Sequence, residues 1–234
     1  MANDWFRFKQ FTIHHDQCAH KVGTDGVLLG AWVKPKKARS ILDIGSGSGL
    51  IALMMAQRFP EAGIMGVELD KASYLQSVEN IEASPFRERV AIYHDDFLKH
   101  DFKDRTFDLI VSNPPFFDRA YLSGNSVRDR ARHTFSLSHD QMLEKAMNLL
   151  REDGTINLIL PPDEAEKAVL HPGLLTHRKT LVFNHEGGDV KRWLISLGLH
   201  KPAQPEITEL AIRSNASDFS EDYQNLTGEF YLNF

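Results

Sequence analysis

The stretch that most constrains this 234-residue chain is Ser40-Ile-Leu-Asp43-Ile-Gly45-Ser-Gly47-Ser-Gly49, which runs straight into the apolar segment from Leu50 to Phe59 and halts at Pro60. A short apolar strand that breaks into alternating glycines and re-enters as a helix makes a sharp turn. Its backbone can approach a ligand, and the helix N-terminus faces that ligand. Spacing excludes three familiar uses. A dinucleotide fingerprint needs a small residue three positions after its second glycine, where Leu50 stands. A phosphate loop needs Gly-Lys-Ser/Thr, which is absent. A nucleophile elbow needs a serine two residues after a glycine, where Gly47 and Gly49 stand instead.

The same rhythm continues downstream. Gly63–Glu68 reads as a second buried strand, and residues 71–84 carry helical spacing through Ala72, Leu75, Val78 and Ile81 up to Pro85. Arg89–Tyr93 and Phe107–Ser112 are further strands, Ser138 is an N-cap for a helix over 139–150, and Thr155–Leu160 is a fifth strand. Apolar strands alternating with amphipathic helices require a parallel sheet covered on both faces. Lys179–Asn184, Trp193–Leu199 and Ile207–Arg213 follow with little helix between them, so antiparallel closure is expected. The expected fold is α/β: a doubly wound, mostly parallel, seven-stranded Rossmann-like sheet with helices on both faces and an antiparallel closing strand. No repeat or linker divides the chain. One domain over 1–234 is expected, with 1–37 as an N-terminal cap, 38–200 as the cofactor-binding core and 201–234 as a closing strand and tail. Ligands in such folds sit beyond the carboxyl ends of the strands.

Composition narrows the class. With 42% hydrophobic and 25% charged residues, the chain resembles an ordinary globular protein. The single Cys18 cannot form an internal disulfide, no leader is visible, and no apolar run approaches the ~18 residues that span a bilayer. A cytoplasmic protein with no membrane partner is expected, and the triplets at Asn215 and Asn225 are then chance matches. The net charge of −5 hides basic regions. Residues 1–40 hold seven Lys/Arg against three acids, and 119–133 hold four Arg against Asp129. Local cations of this kind can still attract a polyanion.

Twenty-five residues after Asp43, Glu68 ends the second strand, where a carboxylate can accept from both hydroxyls of a ribose. Strand, Asp-x-Gly-x-Gly-x-Gly and helix together resemble motif I of the S-adenosylmethionine-dependent class I methyltransferases. The resemblance implies S-adenosyl-L-methionine as cofactor, bordered by Asp43, Gly45, Gly47, Gly49 and Glu68. It also implies that Asp96, with Asp95 beside it, faces the adenine amino group.

The fourth strand ends in Ser112-Asn113-Pro114-Pro115-Phe116-Phe117. Two prolines fix the backbone and remove donors, leaving rigid carbonyl acceptors. The Asn113 side-chain oxygen and the Pro114 carbonyl can each accept from an exocyclic amino group, localising its lone pair and stabilising the positive charge that develops on it. Phe116 can stack on the planar group. The segment resembles the Asn-Pro-Pro-Tyr/Phe motif of methyltransferases acting on adenine N6, cytosine N4 and glutamine side-chain amides. It marks Asn113, Pro114, Pro115 and Phe116 as catalytic, with Asn113 also bordering the cofactor.

Three flanking segments help to choose the substrate: Phe11 through Trp32, Arg130-Ala-Arg132-His133-Thr, and Asp222 through Tyr231. With them, nearly the whole chain resembles the bacterial tRNA adenine-N6-methyltransferases that modify the adenosine next to the anticodon of a valine tRNA. That resemblance implies Lys21, Thr24 and Asp25 at the cofactor pocket; local physics makes Thr24 a helix cap. Arg119, Arg128, Arg130, Arg132 and His133 follow the catalytic loop and are expected to contact RNA phosphates. Trp5, Phe6, Phe8 and Phe11 interleave with Arg7 and Lys9, a pattern that suits covering a sheet edge or stacking on bases. His14, His15 and His20 have no zinc spacing, so no metal is expected, and a monomer is the expected state. Protein glutamine N5-methylation, DNA adenine methylation and a non-catalytic cofactor- and RNA-binding adaptor are the rivals. The short N-terminal segment counts against the first, the lack of an appended sequence-reading domain against the second, and the intact Asn113–Phe116 motif against the third.

Overall fold

The computed structural model describes residues 3–18, 21–34, 37–114, 139–215 and 218–233. In chain order, β1 (Trp5–Arg7) and β2 (Thr12–His14) form a small hairpin, followed by α1 (Thr24–Trp32), β3 (Ser40–Ile44), α2 (Leu50–Arg58), β4 (Gly63–Glu68), α3 (Lys71–Glu82), β5 (Val90–His94) and β6 (Phe107–Ser112). Then come α4 (His139–Leu149), β7 (Leu150–Leu160), α5 (Pro162–Val169), β8 (Leu175–His185), β9 (Val190–Gly198), β10 (Glu206–Arg213) and α6 (Glu221–Thr227).

The main sheet has the order β10-β8-β9-β7-β6-β3-β4-β5. From β3 the chain steps outward through β4 and β5, then returns to the other side of β3 as β6 and continues to β7, all parallel. Strand order therefore reverses between β3 and β6, and a crevice opens at the carboxyl ends of those strands. The doubly wound α/β class expected from the sequence is the one found. Two details are finer than expected. The described sheet has eight strands, because β10 adds in parallel to β8, Glu206 opposite Arg178 and Arg213 opposite His185. The antiparallel strand, β9, lies inside the sheet between β7 and β8.

Two apolar clusters cover the two faces. One joins α1 and α2 to Phe8, Phe11, Tyr223 and Phe230; the other joins Met142, Leu143 and Ala146 of α4 to Ala165 and Ala168 of α5. Of the interleaved aromatics, Phe8 and Phe11 are buried, while Trp5 and Phe6 keep 47% and 36% of their surface. Phe8 packs on the C-terminal segment, its ring 4.9 Å from Phe11 and 5.9 Å from Tyr231, while the Phe11 ring meets Phe86, shortly before the edge strand β5, at 6.3 Å.

Local chemistry corrects two expectations. Thr24 is the first residue of α1, and the cap position is Gly23, which has no side chain to bond. In α3, Ala72 and Leu75 are exposed and Val78 only partly buried. The buried side is Ser73, Gln76, Ser77, Asn80 and Ile81, because polar partners wait there. Asp70 caps that helix, its carboxylate accepting from the Ser73 amide at 2.8 Å. The expected cap Ser138 lies outside the described residues.

Candidate active site

At the strand-order reversal lies a cavity of about 820 Å³. Its first wall is the turn after β3. Gly45 and Gly47 hold φ of +71° and +54°, which L side chains rarely adopt, and a Cβ on either would meet nothing within 4 Å. Gly49 differs: it has φ +81°, and its Cβ would stand 3.3 Å from Ser77 Cβ, so it lets α3 pack close and does not line the cavity. The Gly45 amide donates to Val67 O at 2.9 Å, which ties the turn to β4.

Glu68 closes the second wall. Its Oε2 accepts from the Gly47 amide and its Oε1 from the Asp70 amide, both at 2.7 Å. Each carboxylate oxygen retains a second lone pair, so hydroxyl donors can still be accepted. Gly66, which belongs to no motif, makes room here: a Cβ on it would stand 2.3 Å from both Ser46 Oγ and Ile92 Cδ1. A glycine inside an apolar strand was the available signal.

Asp43 does not line the cavity. It lies beneath the turn, fully buried, and neither carboxylate oxygen finds a hydrogen-bond partner of ordinary geometry. Burial pushes its carboxyl up to about 7, with the Glu68 charge adding to the effect; the nearby Ser46 hydroxyl and Ala52 amide pull the other way.

The loop after β5 supplies Asp95, Asp96 and Phe97. The Asp95 amide donates to Glu68 O at 3.0 Å. Its carboxylate is held below the usual range by the His100 ring at 2.8 Å and by the Asp96 amide. Asp96 accepts from the Leu98 amide at 3.0 Å and pairs with Lys99 at 3.1 Å. Lys145 of α4 braces this loop from behind, donating to Leu98 O at 3.0 Å and His100 O at 2.9 Å.

At the end of β6 the Ser112 hydroxyl donates to Ile44 O at 2.8 Å, locking β6 to β3 just before Asn113. Asn113 is half-buried and Pro114 buried, and both line the cavity. Lys21, Thr24 and Asp25 line it from the entry to α1. The structure thus gathers Lys21, Thr24, Gly45, Gly47, Glu68, Asp96 and Asn113 around one space, with Asp43 and Gly49 supporting it from outside. Pro115, Phe116, Arg119, Arg128, Arg130, Arg132 and His133 lie outside the described residues. Of the histidines, His15 serves the fold, since its Nδ1 accepts from the Val22 amide at 3.2 Å and its Nε2 meets Asn3 O at 2.8 Å.

These features fit a nucleoside cofactor that carries positive charge. The glycine turn offers an open cradle, Glu68 keeps lone pairs for hydroxyls, and the orphaned Asp43 beneath favours a cation above it.

A family model described as Methyltransferase small domain matches residues 18–179, more than half of the chain. A tRNA1(Val) (adenine(37)-N6)-methyltransferase of Bacteroides thetaiotaomicron is 42% identical over 239 aligned residues, covering 99% of each chain. The protein of the same name from Photorhabdus laumondii is 41% identical, over 99% of this chain and 97% of its own. The chain belongs to the tRNA1(Val) (adenine(37)-N6)-methyltransferase family. Among solved structures, Agrobacterium tumefaciens protein Atu636, named as a predicted O-methyltransferase, superposes with a TM-score of 0.67 at 18% identity, over 88% of this chain and 96% of its own. The glycopeptide N-methyltransferase MtfA, solved with S-adenosyl-L-methionine, gives 0.55 at 12% identity, over 77% of this chain and 100% of its own. At such identities these two neighbours speak for the fold, and the fold is that of methyltransferases.

Proposed function

We propose that the protein transfers the methyl group of S-adenosyl-L-methionine to the exocyclic N6 of an adenosine in tRNA. By the names of its relatives, the target is adenosine 37 of tRNA1(Val). One observation carries the reading: Asn113 and Pro114 line the same cavity as the glycine turn and Glu68, so amine acceptors and a nucleoside cradle share one space.

The cofactor, when bound, supplies an electrophilic methyl on a sulfonium that is already an activated leaving group. The protein's own part is positioning and electrostatics. Gly45 and Gly47 would cradle the cofactor, Glu68 would accept from its ribose and Asp96 would face its adenine, with Lys21 and Thr24 bordering it and Asp43 and Gly49 supporting the turn from outside. The Asn113 side-chain oxygen and the Pro114 carbonyl accept the two amino hydrogens, so the nitrogen lone pair is withdrawn from the ring and aimed outward. Pro115 and Phe116 are proposed to serve the same step, Phe116 by stacking on the base. No general base is obligatory, since the amino proton becomes acidic once the methyl has transferred. The target adenine must leave its stack, because its amino group is otherwise engaged in pairing or buried between neighbours. Arg119, Arg128, Arg130, Arg132 and His133 are proposed to hold RNA phosphates. The protein is proposed to work as a monomer in the cytoplasm, where tRNA is modified.

The test is incubation with tritiated cofactor and separate pools of unmodified tRNA, DNA and protein, followed by nucleoside analysis. Label recovered from tRNA as N6-methyladenosine is the expected result. Label in protein or DNA alone, or none anywhere, overturns the reading.

A further inference from the structure

The cavity has two walls of unlike charge. Glu68, Asp70, Asp95 and Asp96 line it from the β4 and β5 side, and Asp43 of β3 is buried beneath the glycine turn. Across the end of β6 stand Asn184 of β8 and Lys191 and Arg192 of β9, with Val182 and Ile212 adding apolar surface. The reversed direction of β9 puts these cations there. Arg192 pairs with Val182, and Trp193 pairs with Leu160 at the carboxyl end of β7, so the first residues of β9 reach the edge where the parallel strands end.

The two cations are held differently. Arg192 Nε donates to Asp25 Oδ2 at 2.8 Å, with both side chains about three-quarters buried (29% and 26% exposed), which joins β9 to the first turn of α1 and neutralises Asp25. Lys191 is exposed; its contact with Asp189 is 3.5 Å long, and the Asp189 side chain is 92% exposed. A pair of that kind contributes little in water.

We propose that Asn184, Lys191 and the Asp25-anchored Arg192 form the substrate half of the cavity. They receive the ribose and phosphate of the target nucleotide, with Lys191 at the phosphate. This rests on the tRNA-methylating reading and extends it. A cationic cofactor is drawn to the carboxylate wall, and an RNA backbone is repelled by it. With a net charge of −5, the chain needs local cations to hold a phosphate beside the target base. Those cations stand on the side away from the four carboxylates. The Asn184 carboxamide can donate to and accept from ribose hydroxyls, which mark RNA as opposed to DNA.

The test uses the full chain and an unmodified tRNA transcript, with binding measured over a salt series and initial rates measured separately. Lys191→Ala should raise the KM for tRNA by about 3–10-fold and make the log K against log salt line shallower by about 0.7–0.9, as expected for one lost phosphate contact. Its kcat and its affinity for cofactor should be unchanged. Lys191→Glu should weaken tRNA binding further, and Asn184→Ala should raise KM with the wild-type salt slope. Lys201→Ala, beyond the far end of β9, should behave as wild type. Wild-type KM and slope in Lys191→Ala, or an equal loss in Lys201→Ala, overturn the inference. A wild-type protein that neither binds nor methylates tRNA overturns the functional reading itself, and it is measured before any variant.

Discussion

A carboxylate with no hydrogen-bond partner in the middle of a sheet is costly to ionise, and this makes Asp43 a source of pH dependence. Its carboxyl is pushed up to about 7 in the folded chain, chiefly by burial, against an ordinary value of 3.8. The folded value is the higher one, so Asp43 adds stability that is fully present below about pH 4 and is lost as pH rises through about 7. The cofactor-free wild type should therefore lose thermal stability between pH 4 and 8 more steeply than Asp43→Asn, as read by calorimetric melts of both. Parallel curves would show that Asp43 is ionised at no cost. Asn113 makes a different prediction because it is half-buried at the cavity and meets the reacting amino group in the proposed mechanism. Asn113→Ala should lower kcat by roughly 10²-fold, the scale of losing one preorganised group, with cofactor affinity nearly intact. Single-turnover rates and a cofactor titration separate the two effects, and unchanged turnover would remove the assigned role.

Elements differ in how openly they declare their purpose. The glycine turn and the Asn113–Pro114 loop were legible in the sequence because their chemistry depends on residue order within a few positions and on the strand before them. The helix α3 was legible as a helix but not in its orientation, because its buried stripe of Ser73, Gln76, Ser77 and Asn80 runs against hydrophobic periodicity. That stripe is a junction. Asn80 Nδ2 donates to His14 O at 2.8 Å and Ser48 O at 2.9 Å, while its Oδ1 accepts from the His14 amide at 2.8 Å. Gln76 Oε1 accepts from the Gln17 amide at 2.9 Å. One helix thereby fastens the N-terminal hairpin to the glycine turn. Asn80→Ala would leave the buried Ser48 carbonyl unpaired, at about 1–3 kcal/mol, and would release the part-buried His14 amide and carbonyl at a smaller cost, since water can reach them. The expected outcome is a Tm lower by about 5–10 °C together with several-fold weaker cofactor binding. A melt and a cofactor titration that both match wild type would mean those groups find other partners. Helix α1 escaped periodicity for the opposite reason: from Gly26 to Trp32 every residue is buried, so it has no polar face to set a phase.

At the scale of the whole molecule, the two ends of the chain meet over α1. The Lys9 amide donates to Phe230 O at 2.8 Å, Tyr223 and Tyr231 hydroxyls lie 3.2 Å apart, and the Phe8 and Tyr231 rings stack. The contacts of Phe8 and Lys9 join residues more than two hundred positions apart, so no local pattern could announce them. They matter for the site because the N-terminal turn of α1, Thr24 to Gly26, lines the cavity, and α1 is packed against α2 and α6. Arg58 reinforces the arrangement: its guanidinium donates to Gly30 O at 3.1 Å and also meets the carbonyls of Ala31 and Val33 at the end of α1, while pairing with Glu229 at 3.0 Å. Phe230, fully buried within this layer, is the place to break it. Phe230→Ala should cost about 3–5 kcal/mol through lost burial and a residual cavity, lowering Tm by about 10 °C. Because the layer steadies α1, cofactor affinity should fall as well, although Phe230 lies outside the cavity lining. Leu170→Ala, at a position 80% exposed, should change neither quantity. A Phe230→Ala protein that melts lower yet binds cofactor with wild-type affinity would show that the terminal layer supports the fold without tuning the site.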